Sequence, residues 1–443
     1  MCLSPYNLLN QKSIFSYPAV SSPALFSLVF VVLLLADLAV RMWLSARQMR
    51  HVASHRGQVP AEFADRINLA SHQRAADYTQ ARVRLGMAEQ VYDAVVLLGL
   101  TLLGGLQWLN EAVGHVTDHA LPRQLLLLVA VAAVMGVLGL PFTLWRQFRL
   151  EARFGFNRMT PGLFVADTVK GIALGLVLGL PLAAAVLWLM GRAGSAWWLW
   201  AWGLWVAFNL LLLFIYPMFI APLFNKFTPL TDEALAGRIR LLAQRCGFAL
   251  EGLFVMDGSR RSGHGNAYFT GFGKARRIVF FDTLLARLNG DEIEAVLAHE
   301  LGHFAHGHIV RRIVMSFVLA LVFFALLGWL AQQPWFYAGL GALPRGDGSD
   351  NAMALMLFFL ALPVFTFLLT PLGSWYSRRN EFEADRYAAK QSSAAQLVSA
   401  LVKLYDDNAA TLTPDPVHSA FYDSHPPASV RIRHLMHASP HST

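Results

Sequence analysis

Seven apolar stretches, each near the length of a membrane-spanning helix, constrain the fold of this chain more than any other feature. They cover residues 24–44, 91–109, 125–144, 172–190, 197–220, 313–330 and 352–369. A helix needs about 20 apolar residues to cross the hydrocarbon core of a bilayer. Of the 443 residues, 56% are hydrophobic and only 14% are charged, far from the composition of a soluble domain. The sequence therefore predicts a mainly α-helical, multi-pass membrane protein.

Basic residues alternate between the segments that connect these stretches. The segments after the first and third stretches are rich in arginine, whereas those after the second, fourth and sixth carry little positive charge, with Arg123, Arg192 and Arg345 nearly alone. Because basic loops stay on the cytoplasmic side, this alternation predicts an N-terminus outside the cytoplasm. The segment 221–312 and the chain after residue 369 are then both cytoplasmic.

Charge and cysteine content exclude several other classes of protein. The net charge of +8 is explained by the basic loops, and no nucleic-acid-binding motif is present. Cys2 and Cys246 are too few and too distant for a disulfide scaffold or a cysteine-based metal site. The first apolar stretch lacks a basic region and a cleavage site before it, so it is expected to stay as an anchor.

The segment His299-Glu300-Leu301-Gly302-His303 matches the H-E-x-x-H pattern on a predicted helix. Residues four apart on a helix share one face, so both imidazoles can bind the same zinc ion. Glu300 would accept a proton from the attacking water, as the glutamate does in zinc metalloproteases. The pattern also occurs by chance, so it needs support from elsewhere in the chain.

The segments around this motif show shorter elements. Period-two patterns predict three short strands before the motif, at 252–257, 266–271 and 277–282. After the seventh apolar stretch the sequence predicts a polar helix over 377–387, an amphipathic helix over 392–408 and a disordered tail from about residue 438.

A catalytic zinc site takes three protein ligands and an open position, so one more ligand is required. His306 and His308 are on the wrong helical positions to join His299 and His303 and are expected at the membrane interface or beside the ligands. Glu381 and Asp385 lie four residues apart, so one could bind metal and the other could accept a hydrogen bond from a ligand imidazole. A solvated acidic turn balanced by neighbouring arginines explains the spacing equally well.

Several motifs together resemble one known family. H-E-L-G-H at 299–303 and E-F-E-A-D at 381–385 resemble the metal motifs of the type I CAAX prenyl proteases, integral-membrane zinc proteases of the gluzincin class. The N-A-Y segment 266–268 and the His425-Pro426-Pro427 turn with Arg431 also resemble segments of that family. With further matches at 154–157, 222–226 and 278–285, the resemblance covers nearly the whole chain from about residue 59.

The resemblance implies a fold, a cofactor and a set of site residues. The fold is a seven-helix transmembrane barrel that encloses a chamber, with a zinc metalloprotease domain carrying a small β-sheet. One Zn²⁺ per chain would be bound, and the substrate would be a peptide, prenylated at its C-terminus in eukaryotic members. The implied residues are the ligands His299, His303 and Glu381, the base Glu300, Asp385 beside the ligands, the oxyanion donors His425 and Arg431, and the substrate-binding strand residues Asn266, Ala267 and Tyr268.

These expectations divide the chain into five parts. Residues 1–220 form an N-terminal transmembrane region, 221–312 a metalloprotease segment, 313–372 two further spans, 373–437 a C-terminal segment that completes the site, and 438–443 a tail. The partners are a peptide or protein substrate and the lipid bilayer, and the protein is expected to be a monomer. Because the chain ends without a lysine-rich retention signal, a bacterial inner membrane is expected, with the endoplasmic reticulum as the eukaryotic alternative.

Two functions from different classes fit the pattern. The first is a membrane zinc endopeptidase for peptides or misfolded membrane proteins. The second is a transport or scaffold protein with a structural metal site. A structural zinc site is usually closed by a fourth cysteine or histidine, and no cysteine lies near the motif. The enzyme is therefore favoured, and the seven stretches argue against the shorter heat-shock type of membrane metalloprotease.

Overall fold

The computed structural model describes residues 22–270, 277–346 and 350–438. The longer helices are α1 Ser22–Ser54, α2 Leu69–Leu100, α3 Gly105–Gly114, α4 Ala120–Trp145, α5 Pro161–Arg192, α6 Trp197–Ile215, α8 Glu233–Arg245, α10 Gly290–Ala305, α11 His308–Leu330, α13 Asn351–Thr366, α14 Thr370–Gln391, α15 Ala394–Asp407 and α17 Ala428–Ala438. Short helices lie between them: α7 Ala221–Phe224, α9 Asp282–Leu285, α12 Pro334–Gly339 and α16 Pro416–Tyr422. The strands are β1 Phe227–Pro229, β2 Gly252–Met256, β3 Ala267–Thr270 and β4 Arg277–Phe281.

The apolar stretches form the membrane-spanning helices. Six helical segments are long and apolar enough to cross a bilayer, and α2 with α3, bent by 51°, makes a seventh if the pair counts as one span. The six segments are Ser22–Ser54, Ala120–Glu151, Pro161–Arg192, Gly194–Phe224, His308–Leu330 and Asn351–Gln391. The prediction of a mainly helical, multi-pass protein is confirmed. The second predicted span, 91–109, is not one straight helix, because the chain bends between α2 and α3.

The apolar core of the membrane region is centred on α13. Ala352, Ala354 and Leu357 on this helix are fully buried. In the most apolar 18 residues of Asn351–Gln391, half of the residues are buried, whereas the corresponding share is 6–17% in the other five segments. Those five therefore leave most of their apolar residues at least partly accessible, as helices that contact lipid do.

The small sheet has the strand order β1-β2-β4-β3. β2 and β4 are parallel, while β1 and β3 pair antiparallel to their neighbours and form the two edges. The structure contains all three strands expected from the sequence, and Gly271, which ended the second one, lies outside the described residues. β1 was not predicted, because three residues are too short for a period-two pattern to be recognised.

A second apolar core joins the sheet to helices outside the membrane-region core. It contains Ile278 and Phe280 of β4, Leu297 and Leu301 of α10, and residues of α8, α14, α15 and α17 such as Leu435. The segments 221–312 and 373–437 therefore share one core, although two membrane helices separate them in the sequence. Ala438, which the sequence analysis placed in the disordered tail, is the last residue of α17, and 439–443 lie outside the described residues.

Helices α10 and α14 approach each other closely in this core. A Cβ atom on Gly302 would lie 2.9 Å from Cα of Ala384 and 3.2 Å from its carbonyl oxygen. Only glycine fits there without moving one of the two helices. The two backbones are thus in direct contact at the point where α10 carries His299 and His303 and α14 carries Glu381.

We expect Gly302→Ala to lower stability, because the added methyl group must push α14 away. Overpacking of this kind costs about 1–3 kcal/mol. Gly237→Ala in α8 is the matched control: nothing lies within 4 Å of a Cβ atom there, and alanine favours helix by about 0.5–1 kcal/mol over glycine. The midpoint of thermal unfolding in detergent should therefore fall for Gly302→Ala and stay equal or rise for Gly237→Ala. Equal midpoints would mean that the contact is not tight.

Candidate metal centre

Helix α10 begins with a complete capping box. The Asn289 side chain accepts a hydrogen bond from the Glu292 backbone at 2.9 Å, and Glu292 accepts one from the Asn289 backbone at 2.8 Å. Glu292 also accepts hydrogen bonds from Ser399 and Lys403 of α15, each at 2.8 Å. Its pKa is lowered, because these bonds outweigh the burial of the carboxyl. The start of the motif helix is thereby tied to α15.

His299, His303 and Glu381 come together between α10 and α14. One ligand atom from each lies within 4.8 Å of the others. The Nε2 atom of His299 is 3.4 Å from Glu381 Oε2, and Nε2 of His303 is 3.3 Å from Oε1. Two atoms bound to a tetrahedral zinc ion at about 2.0–2.1 Å are themselves about 3.3 Å apart. The donor set and its spacing therefore fit a metal ion.

The environment of Glu381 also supports a cation at this point. Glu381 is only 3% exposed, and its Oε2 atom is buried without a hydrogen-bond partner in the described part of the chain. Buried carboxylates are costly unless they are paired or bound to metal. A solvated acidic turn, the alternative left open by the sequence, does not describe this residue.

Asp385 and Arg431 form a buried ion pair behind His299. Asp385 Oδ1 is 2.9 Å from Nδ1 of His299, and Asp385 accepts hydrogen bonds from Arg431 Nε at 2.9 Å and Nη2 at 2.5 Å. Burial lowers the pKa of His299, but the adjacent carboxylates of Asp385 and Glu381 outweigh burial and raise the pKa. The pocket thus favours positive charge at this imidazole, whether from a proton or from a metal ion.

His303 has a different supporting arrangement, in which sequence reasoning left a place for His308 but none for Glu383. Its Nδ1 atom is 3.0 Å from Nδ1 of His308, and Nε2 of His308 is 3.1 Å from Oε2 of Glu383. If Nε2 of His303 binds metal, its Nδ1–H can donate to His308, whose Nε2–H can donate to Glu383. Each N–H group in this row of hydrogen bonds then has an acceptor.

The position of His308 depends on the turn between α10 and α11. Gly307 has φ +66°, a left-handed conformation that favours glycine, and it ends α10 before His308 starts α11. The sequence predicted His308 at the membrane interface or beside the ligands and did not single out Glu383. Gly307, between His306 and His308, could have indicated this arrangement. A glycine that ends α10 interrupts the helical spacing, and it was on that spacing that His308 was judged unable to join His299 and His303.

The remaining predicted site residues lie at the open side of the cluster or on the sheet. Glu300 is partly exposed, unlike its neighbour His299. His425 has a side chain that is 63% exposed, and its Nε2 atom is 3.4 Å from Glu381 Oε1. Ala267 and Tyr268 lie on the edge strand β3, and Asn266 precedes it. Burial raises the pKa of Tyr268 to about 12, so its hydroxyl stays a hydrogen-bond donor.

Known protein families match this sequence over almost its whole length. Residues 48–226 match the family described as CAAX prenyl protease N-terminal, five membrane helices, and residues 229–439 match Peptidase family M48. This chain belongs to the M48 peptidase family.

Relatives of this M48 peptidase include proteins from plants, fungi and animals. A CAAX prenyl protease 1 homolog of Arabidopsis thaliana is 35% identical over 77% of this chain and 82% of its own length. CAAX prenyl protease 1 of Saccharomyces cerevisiae is 32% identical over 91% of this chain and 94% of its own length. The crystal structure of S. mikatae Ste24p superposes with a TM-score of 0.86 at 29% identity, covering 93% of this chain and 98% of that one.

These matches establish a membrane-embedded metallopeptidase with the fold of Ste24p. The enzyme favoured by the sequence is confirmed, and the non-catalytic transport or scaffold alternative is not supported. A metal is implied by the family, and a peptide or protein substrate and membrane lipids are implied partners. The multi-span membrane location is likewise confirmed.

We expect Glu383→Gln and His308→Ala to weaken metal binding by this M48 peptidase, because each interrupts the hydrogen bonds that orient His303. Loss of such a supporting partner typically costs about 10- to 100-fold in metal affinity. Zinc affinity of the purified protein, measured by chelator competition, gives the result without an activity assay. Glu294→Gln is the control, since Glu294 lies on α10 with His303 but pairs with Arg238 and Arg245. Unchanged affinity in both test variants would contradict the arrangement.

Proposed function

We propose that this protein is a zinc endopeptidase in which His299, His303 and Glu381 hold one zinc ion. The observation that carries the proposal is the 3.3–3.4 Å spacing of the two imidazole nitrogens from the Glu381 oxygens, at a buried carboxylate with an unpartnered oxygen. Three protein ligands leave a fourth position open, which is the arrangement of catalytic rather than structural zinc. Glu300, next to His299, is the proposed general base.

The chain's own residues divide the chemistry between them. A metal ion in this site would polarise the scissile carbonyl and lower the pKa of an attacking water. Glu300 accepts the proton of that water and then passes it to the departing amine. Asp385 holds the His299 ring through Nδ1, and the His308–Glu383 pair does the same for His303.

His425 and Arg431 are the proposed donors to the oxyanion, and they lie in different surroundings. His425 is exposed on the open side, where Nε2 can donate to charge that develops on the carbonyl oxygen. Arg431 is 6% exposed, and its Nη1 atom is 3.7 Å from Glu381 Oε2. Because its other nitrogens bind Asp385, Nη1 is the group that would serve the oxyanion.

The edge strand β3 is the proposed binding site for the peptide backbone. β3 pairs with β4 on one side, and no strand of the described residues pairs with its other side. An extended peptide can add to such an edge through main-chain hydrogen bonds, as peptides do in β-augmentation. Asn266, Ala267 and Tyr268 would then contact the substrate.

Two further proposals concern the class of substrate and the membrane that contains the protein. The relatives named above are CAAX prenyl proteases, so prenylated C-termini are one candidate substrate and misfolded membrane proteins are the other. The alternation of basic loops supports an active site on the cytoplasmic side. A monomer in the bacterial inner membrane stays our prediction, with the endoplasmic reticulum as the alternative for a eukaryotic source, like the relatives named above.

Glu300→Gln should keep the metal and the fold but lose cleavage, because the amide cannot accept the proton of the attacking water. The expected loss in kcat is about a hundred- to ten-thousand-fold. Peptide cleavage is measured in detergent at matched zinc content, with Glu294→Gln as control on the same helix. His425→Ala should also keep zinc but lower turnover less. Full turnover by Glu300→Gln would leave this glutamate without a role as base.

The proposed orientation can be tested with reporter fusions. Fusions after Arg84 should report from the cytoplasm, and fusions after Arg192 and Arg345 should report from the opposite side, because only the segment containing Arg84 is rich in arginine. A cytoplasmic signal after Arg192 or Arg345 would contradict the orientation and the cytoplasmic active site with it.

A further inference from the structure

The segment that leads into the edge strand β3 is held by the connection between two membrane helices. Helix α4 continues into a π-helical turn, Arg146–Glu151, before α5 begins. The backbone after this turn contacts the segment before β3. Gly263 donates a hydrogen bond to the Phe156 carbonyl at 3.0 Å, and Asn157 and Ser262 form an antiparallel β-bridge. The entry to the proposed peptide-binding strand is thus attached to the membrane region as well as to the sheet.

His264, the next residue towards β3, is at the centre of these contacts. Its ring stacks on the Phe156 ring, with centroids 4.3 Å apart and an angle of 20° between the planes. Its Nδ1 atom is 2.8 Å from Asn408 Oδ1, and its Nε2 atom is 3.6 Å from Glu151 Oε2. Because each ring nitrogen faces an oxygen atom, either neutral tautomer directs one N–H towards an acceptor. The His264 carbonyl also accepts a hydrogen bond from the Thr283 hydroxyl at 2.9 Å.

The side chains on both sides of the His264 ring have supports of their own. Glu151 accepts a hydrogen bond from the Tyr78 hydroxyl of α2 at 2.7 Å. Asn408 ends α15, and its neighbour Ala409 has φ +44°, in the left-handed region that residues other than glycine rarely adopt. Ala409 is buried and packs with Tyr78 in a small apolar cluster. The ring therefore lies between groups that are themselves packed or hydrogen-bonded.

The strand β3 is short, so the contacts at its ends matter for its position. It has four residues, and each of them is partly accessible. Ala267 and Phe269 pack on the second apolar core, which fixes one face of the strand. Pairing along one side of so short a strand contributes little stability by itself. The His264 contacts hold its N-terminal end, because Asn266, the first residue proposed to contact the peptide, is only two residues further on.

We propose that His264 is a positioning residue for peptide binding: held between Asn408 and Glu151, it sets where the edge of β3 begins and so where an extended peptide adds to it. The proposal rests on the peptidase function and on the β3 edge described above. His264 is not one of the metal-binding group, and its contacts lie with other residues. Its loss should therefore weaken the binding of peptides that pair with β3 and leave metal binding unchanged.

The test measures dissociation constants of peptides for the Glu300→Gln protein, so that cleavage does not interfere. The peptides share one sequence, and each is N-methylated at a different backbone amide. A methyl group that blocks a hydrogen bond to β3 should weaken binding. His264→Ala should weaken the unmodified peptide about two- to ten-fold, the range for one lost hydrogen bond, and have little further effect on the peptides already weakened. Zinc affinity, measured by chelator competition, should stay the same.

Further substitutions separate the hydrogen bonds of His264 from its bulk. His264→Gln keeps an N–H donor and should retain part of the binding. His264→Phe keeps the stacking on Phe156 but has no donor, so it should behave like His264→Ala. Asn408→Ala removes the partner of Nδ1 and should weaken binding as well, but add nothing to His264→Ala. His119→Ala is the matched control, because this exposed histidine lies at the other end of α4.

Three results would overturn the positioning role. They are full binding by His264→Phe, an equal effect of His264→Ala on every methylated peptide, and a loss of zinc affinity together with peptide binding. If no methylation weakens binding, peptides do not pair with β3 and this inference fails, whereas cleavage at the metal centre is unaffected. If the unmutated enzyme cleaves no peptide but the expected pattern of binding is present, the proposed function fails and the positioning role stands.

Discussion

The contact of α10 with α14 at Gly302 and Ala384 is the constraint on which the site depends. With no side chain on Gly302, the backbones approach so closely that a Cβ atom there would be 2.9 Å from Ala384 Cα. Glu381 and Asp385 flank Ala384 on α14 and therefore reach the imidazoles of α10. A wider crossing would leave room for water and separate the carboxylates from the histidines.

Charge balance makes this buried cluster a natural site for a cation. Glu381, Asp385 and Arg431 are all nearly inaccessible, and together they carry one net formal negative charge when the histidines are neutral. An uncompensated charge in such surroundings is costly. A bound metal ion would supply the missing positive charge. Arg431 is fixed mainly by Asp385, so it balances that residue and leaves Glu381 for the metal.

The membrane region also supports the candidate metal centre directly. Arg47 and Gln48, near the end of α1, bind Asp415, which caps α16. Ser374 of α14 donates a hydrogen bond to the carbonyl of Phe421, in the same short helix. The turn that carries His425 follows α16 and is therefore attached to both α1 and α14.

Only the family resemblance, and not helical spacing, joined Glu381 and Asp385 to H-E-L-G-H. The sequence by itself determined the membrane helices, three of the four described strands and the shared helix face of His299 and His303. These features depend on local composition and helical spacing, which a linear pattern records. The His308–Glu383 support of His303 and the burial of Arg431 were decided only by tertiary structure. Each of them joins residues from distant elements or across the Gly307 turn, where helical spacing no longer predicts which side chains meet.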